Sequence, residues 1–378
     1  GILPASLWAE ILPQNTPLAA LNLQPIGSGP YKFAEFAKDQ RGSIPSYTLT
    51  RNDDFYDAPA FIETLTFKFY PDVIALTDAL ENKNVEGVSV VRAEDLTRVA
   101  GNSNVQLLQP LIPKETILYM NQTIQPVLKD LVVRIAIAQA IQKQDIVEGL
   151  TLSDAHVIHG PILEGMVGFH TDLQTVYNVS HANTSLEEAG YQLDAASGVR
   201  GLKDETDDSL RLTLTAVDNE EMQQVAAQIQ KDLVAIGISI SLNFIPADLM
   251  LTQVIEPKNF ELLLMSIMLE GDPDPYPLWH SSQAKTGGLN FVAYSNADVD
   301  TLLTDGRKEK DESVRAEKYK QFQELLAKDV PAVFLYQSRF AYAVASKIHL
   351  TAPERLVNPS DRFADVTSWY IKTKKALK

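Results

Sequence analysis

Apolar positions change their period twice along the chain. In the first third they alternate in short runs: Tyr47, Leu49 and Arg51 fall on one side and Thr48 and Thr50 on the other. Leu65–Phe69 repeats this pattern, and Thr116–Met120 is a compact apolar run of strand length. Between them Asp72–Glu81 carries Val73, Leu76 and Leu80 at helical spacing. The region is predicted as mixed α/β, with its strands in one sheet.

From Lys129 the spacing becomes helical. Val132, Val133, Ala136, Ala140 and Ile141 predict one amphipathic helix running to about Glu148. A loop-rich stretch from Thr151 to Val179 follows, and Ser185 with Glu188 three positions on predicts a capped short helix over Ser185–Tyr191. The middle then alternates again. Leu210, Leu212 and Leu214 mark a strand, and Met222, Val225, Ala226, Ile229, Leu233 and Ile236 stripe a helix that Gly237 can end. Ile238, Ile240, Leu242 and Phe244 mark the next strand. Phe260–Leu269 is apolar on both faces, as a central strand covered by helices should be. This order argues an α/β layer. After the irregular Glu270–Ser295 come a short helix from Asp298 and a longer one from about Asp311 to Lys328, with Val314, Tyr319, Phe322 and Leu326 on its inner side. Pro331 should end that region, Val333–Tyr336 should form a strand, and Ala341–Lys378 returns to short strands and turns.

Composition narrows the function classes. At 378 residues the chain is long enough for two domains. Its 49 acidic against 33 basic residues leave a net charge of −16, which disfavours nucleic acid and anionic membrane as partners. The longest apolar run, Leu262–Leu269 broken by Ser266, is far short of a membrane span. With no cysteine, thiolate–zinc sites, iron–sulfur clusters, disulfides and Cys nucleophiles are all excluded. The opening Gly1-Ile2-Leu3-Pro4 is no leader, so the sequence is expected to come from something longer.

Few residues suggest catalysis. His156-x-x-His159 lacks the spacing and the glutamate of a zincin helix, and Gly160-Pro161 follows at once, so both are expected as loop histidines. Asp272-Pro273-Asp274 could clamp a hard cation, but the prolines suit a rigid turn whose aspartates cap backbone amides. Gly27-Ser28-Gly29-Pro30 lacks the Lys-Ser/Thr of a phosphate loop and is expected as a turn. There is no G-x-S-x-G elbow. No metal and no cofactor is therefore expected.

The stretch after Phe260–Leu269 is the most informative. In open α/β sheets ligands bind beyond the carboxyl ends of strands. Glu270, Asp272, Asp274, Tyr276, Trp279 and His280 cluster there. Carboxylates can hold an ammonium group, and Tyr and Trp offer flat walls with a polar edge. A proline-stiffened loop whose aromatics fill the core fits the same residues.

Several motifs, in order, then resemble one family. Gly27-Ser28-Gly29-Pro30-Tyr31-Lys32-Phe33, Arg51-Asn52-Asp53-Asp54-Phe55-Tyr56, and Tyr119-Met120-Asn121-Gln122-Thr123 come first. Asp130 with Val133-Arg134-Ile135-Ala136-Ile137, and Ile236-Gly237-Ile238, follow. Asp272-Pro273-Asp274-Pro275-Tyr276, Trp279-His280-Ser281-Ser282, Tyr294-Ser295-Asn296 and Asp329-Val330-Pro331-Ala332 complete the series. The chain resembles the extracellular solute-binding proteins of the oligopeptide/dipeptide class, the receptor subunits of ABC importers. The resemblance implies a type II periplasmic-binding fold, α/β, with two mixed lobes joined by a two-segment hinge and closing on the ligand. It implies residues 1–122 and 338–378 for a first lobe that lacks its N-terminal part, and 123–337 for the second. It also implies a monomer outside the cytoplasm, in the periplasm or at the outer face of the membrane, anchored through a segment ahead of this chain. Partners would be a peptide and the ABC permease. The family's amine-binding aspartate falls on Gly271, with Glu270 and Asp272 as neighbours, and relatives that take sugars, nickel complexes or haem widen the ligand class. The competing readings are a metal-dependent hydrolase or transferase using Asp272 and Asp274, and a receptor that signals to a sensor.

Overall fold

The computed structural model describes residues 3–92, 95–150, 155–202 and 209–371. Gly1 and Ile2, the start of the expected loop at residues 151–154, and residues 372–378 of the tail lie outside that range. The chain divides into two compact units, Leu111–Arg339, and Gly1–Pro110 with Phe340–Lys378.

A six-stranded mixed sheet organises the unit Leu111–Arg339. Its strands run in the order Ser239–Ile245, Arg211–Val217, Leu262–Met268, Leu111–Met120, Ala332–Arg339 and His156–Val157. The strand Arg211–Val217 is parallel to both its neighbours, through the helix Glu220–Val234 that crosses between the first pair. Leu111–Met120 lies antiparallel to Leu262–Met268 and to Ala332–Arg339. Alternate residues of these strands feed two cores. Leu118, Met120, Leu212, Leu214, Leu262, Leu264 and Leu335 pack on one face, beneath the helices Leu131–Ala140 and Glu220–Val234. Ile117, Tyr119, Leu263 and Phe334 pack on the other, with Trp279, Phe291, Tyr319 and Phe322. Such two-sided burial is why Phe260–Leu269 reads as a continuous apolar run.

The other unit is built from smaller sheets: Tyr31–Ala37, Ser46–Arg51 and Thr64–Lys68 in one, and Gly87–Val88, Tyr342–Ala345 and Val105–Leu108 in another. Tyr342–Ala345 pairs with strands from early in the chain, which ties the tail to this unit.

Several sequence expectations need correction. Thr116–Met120 does not share a sheet with the earlier strands: it extends back to Leu111 and sits inside the six-stranded sheet. The division of the chain accordingly falls before Leu111 rather than after residue 122. The helix expected to run from Lys129 to Glu148 is two, Leu131–Ala140 and Lys143–Gly149. Ile141 takes an extended ψ of 114° with its side chain in the core, and the Gln142 amide donates to Asp232 Oδ2 at 3.0 Å instead of to the helix. The helix placed at Ser185–Tyr191 spans Val179–Glu188, because Asn178 and not Ser185 caps it, accepting from the His181 amide at 2.9 Å. Val314 is exposed, while Tyr319, Phe322 and Leu326 line the inner side as expected. That helix ends at Val330, held at φ 45°, one residue before Pro331.

Candidate functional site

The irregular stretch begins where Leu262–Met268 runs out of partners: the Leu269 amide donates to Pro113 O at 2.7 Å, and the chain then leaves the sheet. Pro273 and Pro275 are buried, and this turns Asp272 and Asp274 outward. Each meets an arginine. Arg315 grips Asp272 with both oxygens at 2.9 Å and also donates to Pro273 O. Arg307 lies on Asp274 through Nε and Nη2, at 2.9 and 2.5 Å. Asp274 Oδ1 also accepts from the Tyr276 amide at 3.3 Å, the backbone cap expected of this turn. The Arg315 side chain is held well above its usual range, first by its bond to Asp272.

Tyr276 opens the short helix Tyr276–Trp279, whose position one turn before His280 brings their rings together. They stack at 4.1 Å, and the Arg307 guanidinium lies over the Tyr276 ring, 4.1 Å from its centroid. His280 Nδ1 accepts from the Ser282 amide at 3.0 Å, so Nε2 carries the proton toward Thr304 Oγ1 at 3.3 Å. Arg307 thus brings Asp274 and Tyr276 together, and His280 joins them through its stack on Tyr276. Trp279 points the other way. It is 0% exposed and packs on Tyr119, Phe334 and Tyr294, so the flat wall for a ligand falls to Tyr276. Glu270 is exposed and carries no ion pair among the described residues.

Sequence reasoning missed Glu115. It sits on Leu111–Met120 opposite Ile267 and Gln337, and shares a sheet face with Ile117 and Tyr119. Both of its carboxyl oxygens are buried without a hydrogen-bond partner, and burial drives the acid well above the usual carboxylate range. The available signal was its odd-numbered parity with two apolar residues, hidden when the strand is begun at Thr116.

The histidine pair does not converge. His156 faces Arg339 across the sheet edge, with Nε2 2.6 Å from Nη2. His159 Nδ1 accepts from the Thr175 amide at 3.3 Å, and burial, with Lys143 nearby, pushes its pKa down to about 4. Among the described residues no group of three or more His, Cys, Asp or Glu is placed to hold a metal. A cavity of about 480 Å³ opens beside His159, Gln139, Gln174 and Lys328, and none of the six candidate residues borders it.

Several of the family-like motifs are tied to one another within each unit. Asn52 donates to Gly29 O at 3.0 Å, joining the first two motifs. The Arg134 guanidinium donates to Leu128 O, Lys129 O, Asp329 O and Val330 O, joining the helix entry to the end of Glu312–Asp329. Tyr294 and Asn296 both donate to Asp329 Oδ2, at 2.6 and 2.9 Å. A sequence profile of the bacterial extracellular solute-binding proteins, family 5 Middle, matches residues 3–289. The chain belongs to this family. These are binding proteins rather than enzymes, extracellular by family description, and their fold is the type II periplasmic-binding fold.

Family-5 relatives are similar over nearly all of the chain. The oligopeptide-binding protein AppA of Bacillus subtilis is 27% identical over 372 residues, covering 94% of this chain and 65% of AppA. The dipeptide-binding protein of Escherichia coli is 22% identical, covering 84% of this chain and 57% of that protein. The solved structure of AppA in complex with a nonapeptide superposes with a TM-score of 0.71 at 25% identity, covering 99% of this chain and 72% of that one. The chain thus spans less than two thirds of the length of these two curated relatives.

Proposed function

We propose that this chain is the greater part of the substrate-binding receptor of an ABC importer, which takes peptides and delivers them to a membrane permease. The observation that carries the reading is the likeness to AppA over almost the whole chain, in a protein whose structure holds a nonapeptide. The site proposed is the end of Leu262–Met268 and the turn beyond it. There the backbone of Glu270–Asp272 is free of the sheet, as an extended peptide requires if it is to add to it. Exposed Glu270 gives that end a negative charge, and the Tyr276–His280 stack presents an aromatic surface. On this reading residues 1–110 with 340–378 belong to the first lobe and Leu111–Arg339 forms the second. The protein works as a monomer, anchored outside the cytoplasm through sequence ahead of this chain.

The hydrolase reading finds no footing, because Asp272 and Asp274, the carboxylates it needs, are each engaged by an arginine. The test is mass spectrometry of small molecules released by denaturing the purified protein, followed by calorimetric titration with the peptides found. Peptides in stoichiometric amount support the reading. A sugar or metal chelate in their place overturns the peptide assignment, and peptide turnover sensitive to chelator overturns binding without catalysis.

A further inference from the structure

The six-stranded sheet carries an acid with nothing to answer it. Glu115 is 0% exposed and neither oxygen has a hydrogen-bond partner. Two other orphaned polar atoms share its sheet face, Tyr119 Oη and Trp279 Nε1, and these two rings stack at 6.0 Å. Glu115 also lies near enough to Tyr119 to push the phenol further above its usual range. Trp279 belongs to the segment that runs on from Glu270, so this face is the one the candidate ligand segment folds over.

The other acids of that region differ. Asp272 is spent on Arg315, Asp274 on Arg307, and Asp300 accepts from the Ser281 amide and hydroxyl. Glu270 is free but exposed, where water and salt screen its charge. A buried carboxyl without a partner is costly, and a cation brought to it interacts far more strongly than at the surface. An orphaned buried acid of this kind calls for a partner that the chain itself does not supply.

We infer that Glu115 receives the cationic group of the ligand, an ammonium, and that this residue rather than the acids of the 270–274 turn makes the site select cationic solutes. The inference rests on the proposed peptide-receptor function and names the residue that would set its specificity. In the structure Glu115 is sealed from solvent, so loading requires a movement that opens its face. Burial raises the pKa of this acid, and a neighbouring ammonium acts in the opposite direction.

The test uses the full-length protein and two random tetrapeptide pools, one with free amino termini and one N-acetylated, both without Lys and Arg. Peptides retained through gel filtration are counted by mass spectrometry. The wild type is expected to retain the free pool at least tenfold better, and Glu115→Gln to lose that preference while Glu188→Gln, an exposed acid outside the proposed site, keeps it. Glu115→Leu, which removes the buried acid altogether, guards against a folding defect and should lose the preference too. If both Glu115 variants keep the wild-type preference, or Glu270→Gln alone abolishes it, the inference is overturned though peptide binding stands. If the wild type retains neither pool while a non-peptide solute is found bound, the function reading fails and takes the inference with it.

Discussion

Arg315 holds Asp272 by two parallel bonds, Nη1 to Oδ1 and Nη2 to Oδ2, both at 2.9 Å, across 43 residues of sequence. The same guanidinium lies 5.2 Å over the Tyr319 ring, so the turn after the central strand is tied to the helix Glu312–Asp329. Two-pronged pairing fixes orientation as well as distance. The turn is therefore anchored where the proposed ligand arrives.

Asp272 is mostly exposed, so the pair should add little to global stability. Asp272→Asn is expected to cost about 1 kcal/mol or less by urea unfolding. Its larger effect should be on peptide affinity, through a loosened turn. Calorimetry that shows unchanged affinity would remove Arg315–Asp272 from the account of the site.

Arg134 should matter far more. Its side chain is buried and serves four carbonyls, those of Leu128, Lys129, Asp329 and Val330. Arg134→Met leaves them unpaired and should lower stability by about 3 kcal/mol or more. Arg134→Lys should recover only part, since one ammonium cannot reproduce the fork. Full recovery in the lysine variant would mean charge alone, and not the geometry, is required.

Lys143 predicts a pH dependence with a definite sign. Its Nζ is buried against Ile158 O, and burial brings its pKa down to about 7. The unfolded chain then binds more protons than the folded one between about pH 7 and the ordinary lysine value near 10.4, so this group makes stability rise with pH across that window. His159, pushed down to about 4, acts with the same sign from there to about 6.5. Lys143→Met should flatten the upper rise when urea midpoints are compared from pH 7 to 10. An unaltered slope would place the titration elsewhere.

Gly306, in the helix Ala297–Lys308 that packs on Glu312–Asp329, reverses an ordinary rule. Alanine usually improves a helix interior by about 1 kcal/mol over glycine. Here a Cβ would stand 2.5 Å from Tyr319 Cε1, and that ring is 0% exposed with nowhere to retreat. Gly306→Ala should therefore destabilise by about 1–3 kcal/mol. Thermal unfolding of the variant at or above the wild-type midpoint would show that the two helices can separate freely.

The sequence by itself determined the elements with a strong period and the family. The stripe from Met222 to Leu233 had to be a helix, Glu220–Val234, and the alternation through Ile240, Leu242 and Phe244 a strand, Ser239–Ile245, because each pattern buries one face only in that conformation. The motifs were legible because they are local, although their purpose lay in pairs that sequence order conceals: Asn52 with Gly29, Arg134 with Asp329, Tyr294 with Asp329. Tertiary structure decided the rest. Whether Ile141 continued a helix depended on Asp232, ninety residues on, taking the amide of Gln142. Whether Asp272 and Asp274 were free depended on arginines from later helices, and whether Trp279 faced a ligand or the core depended on Tyr119 and Phe334. Glu115 shows the limit most clearly. A glutamate in a strand reads as solvent-facing until the sheet closes over it, since burial is a property of neighbours that only the folded chain supplies.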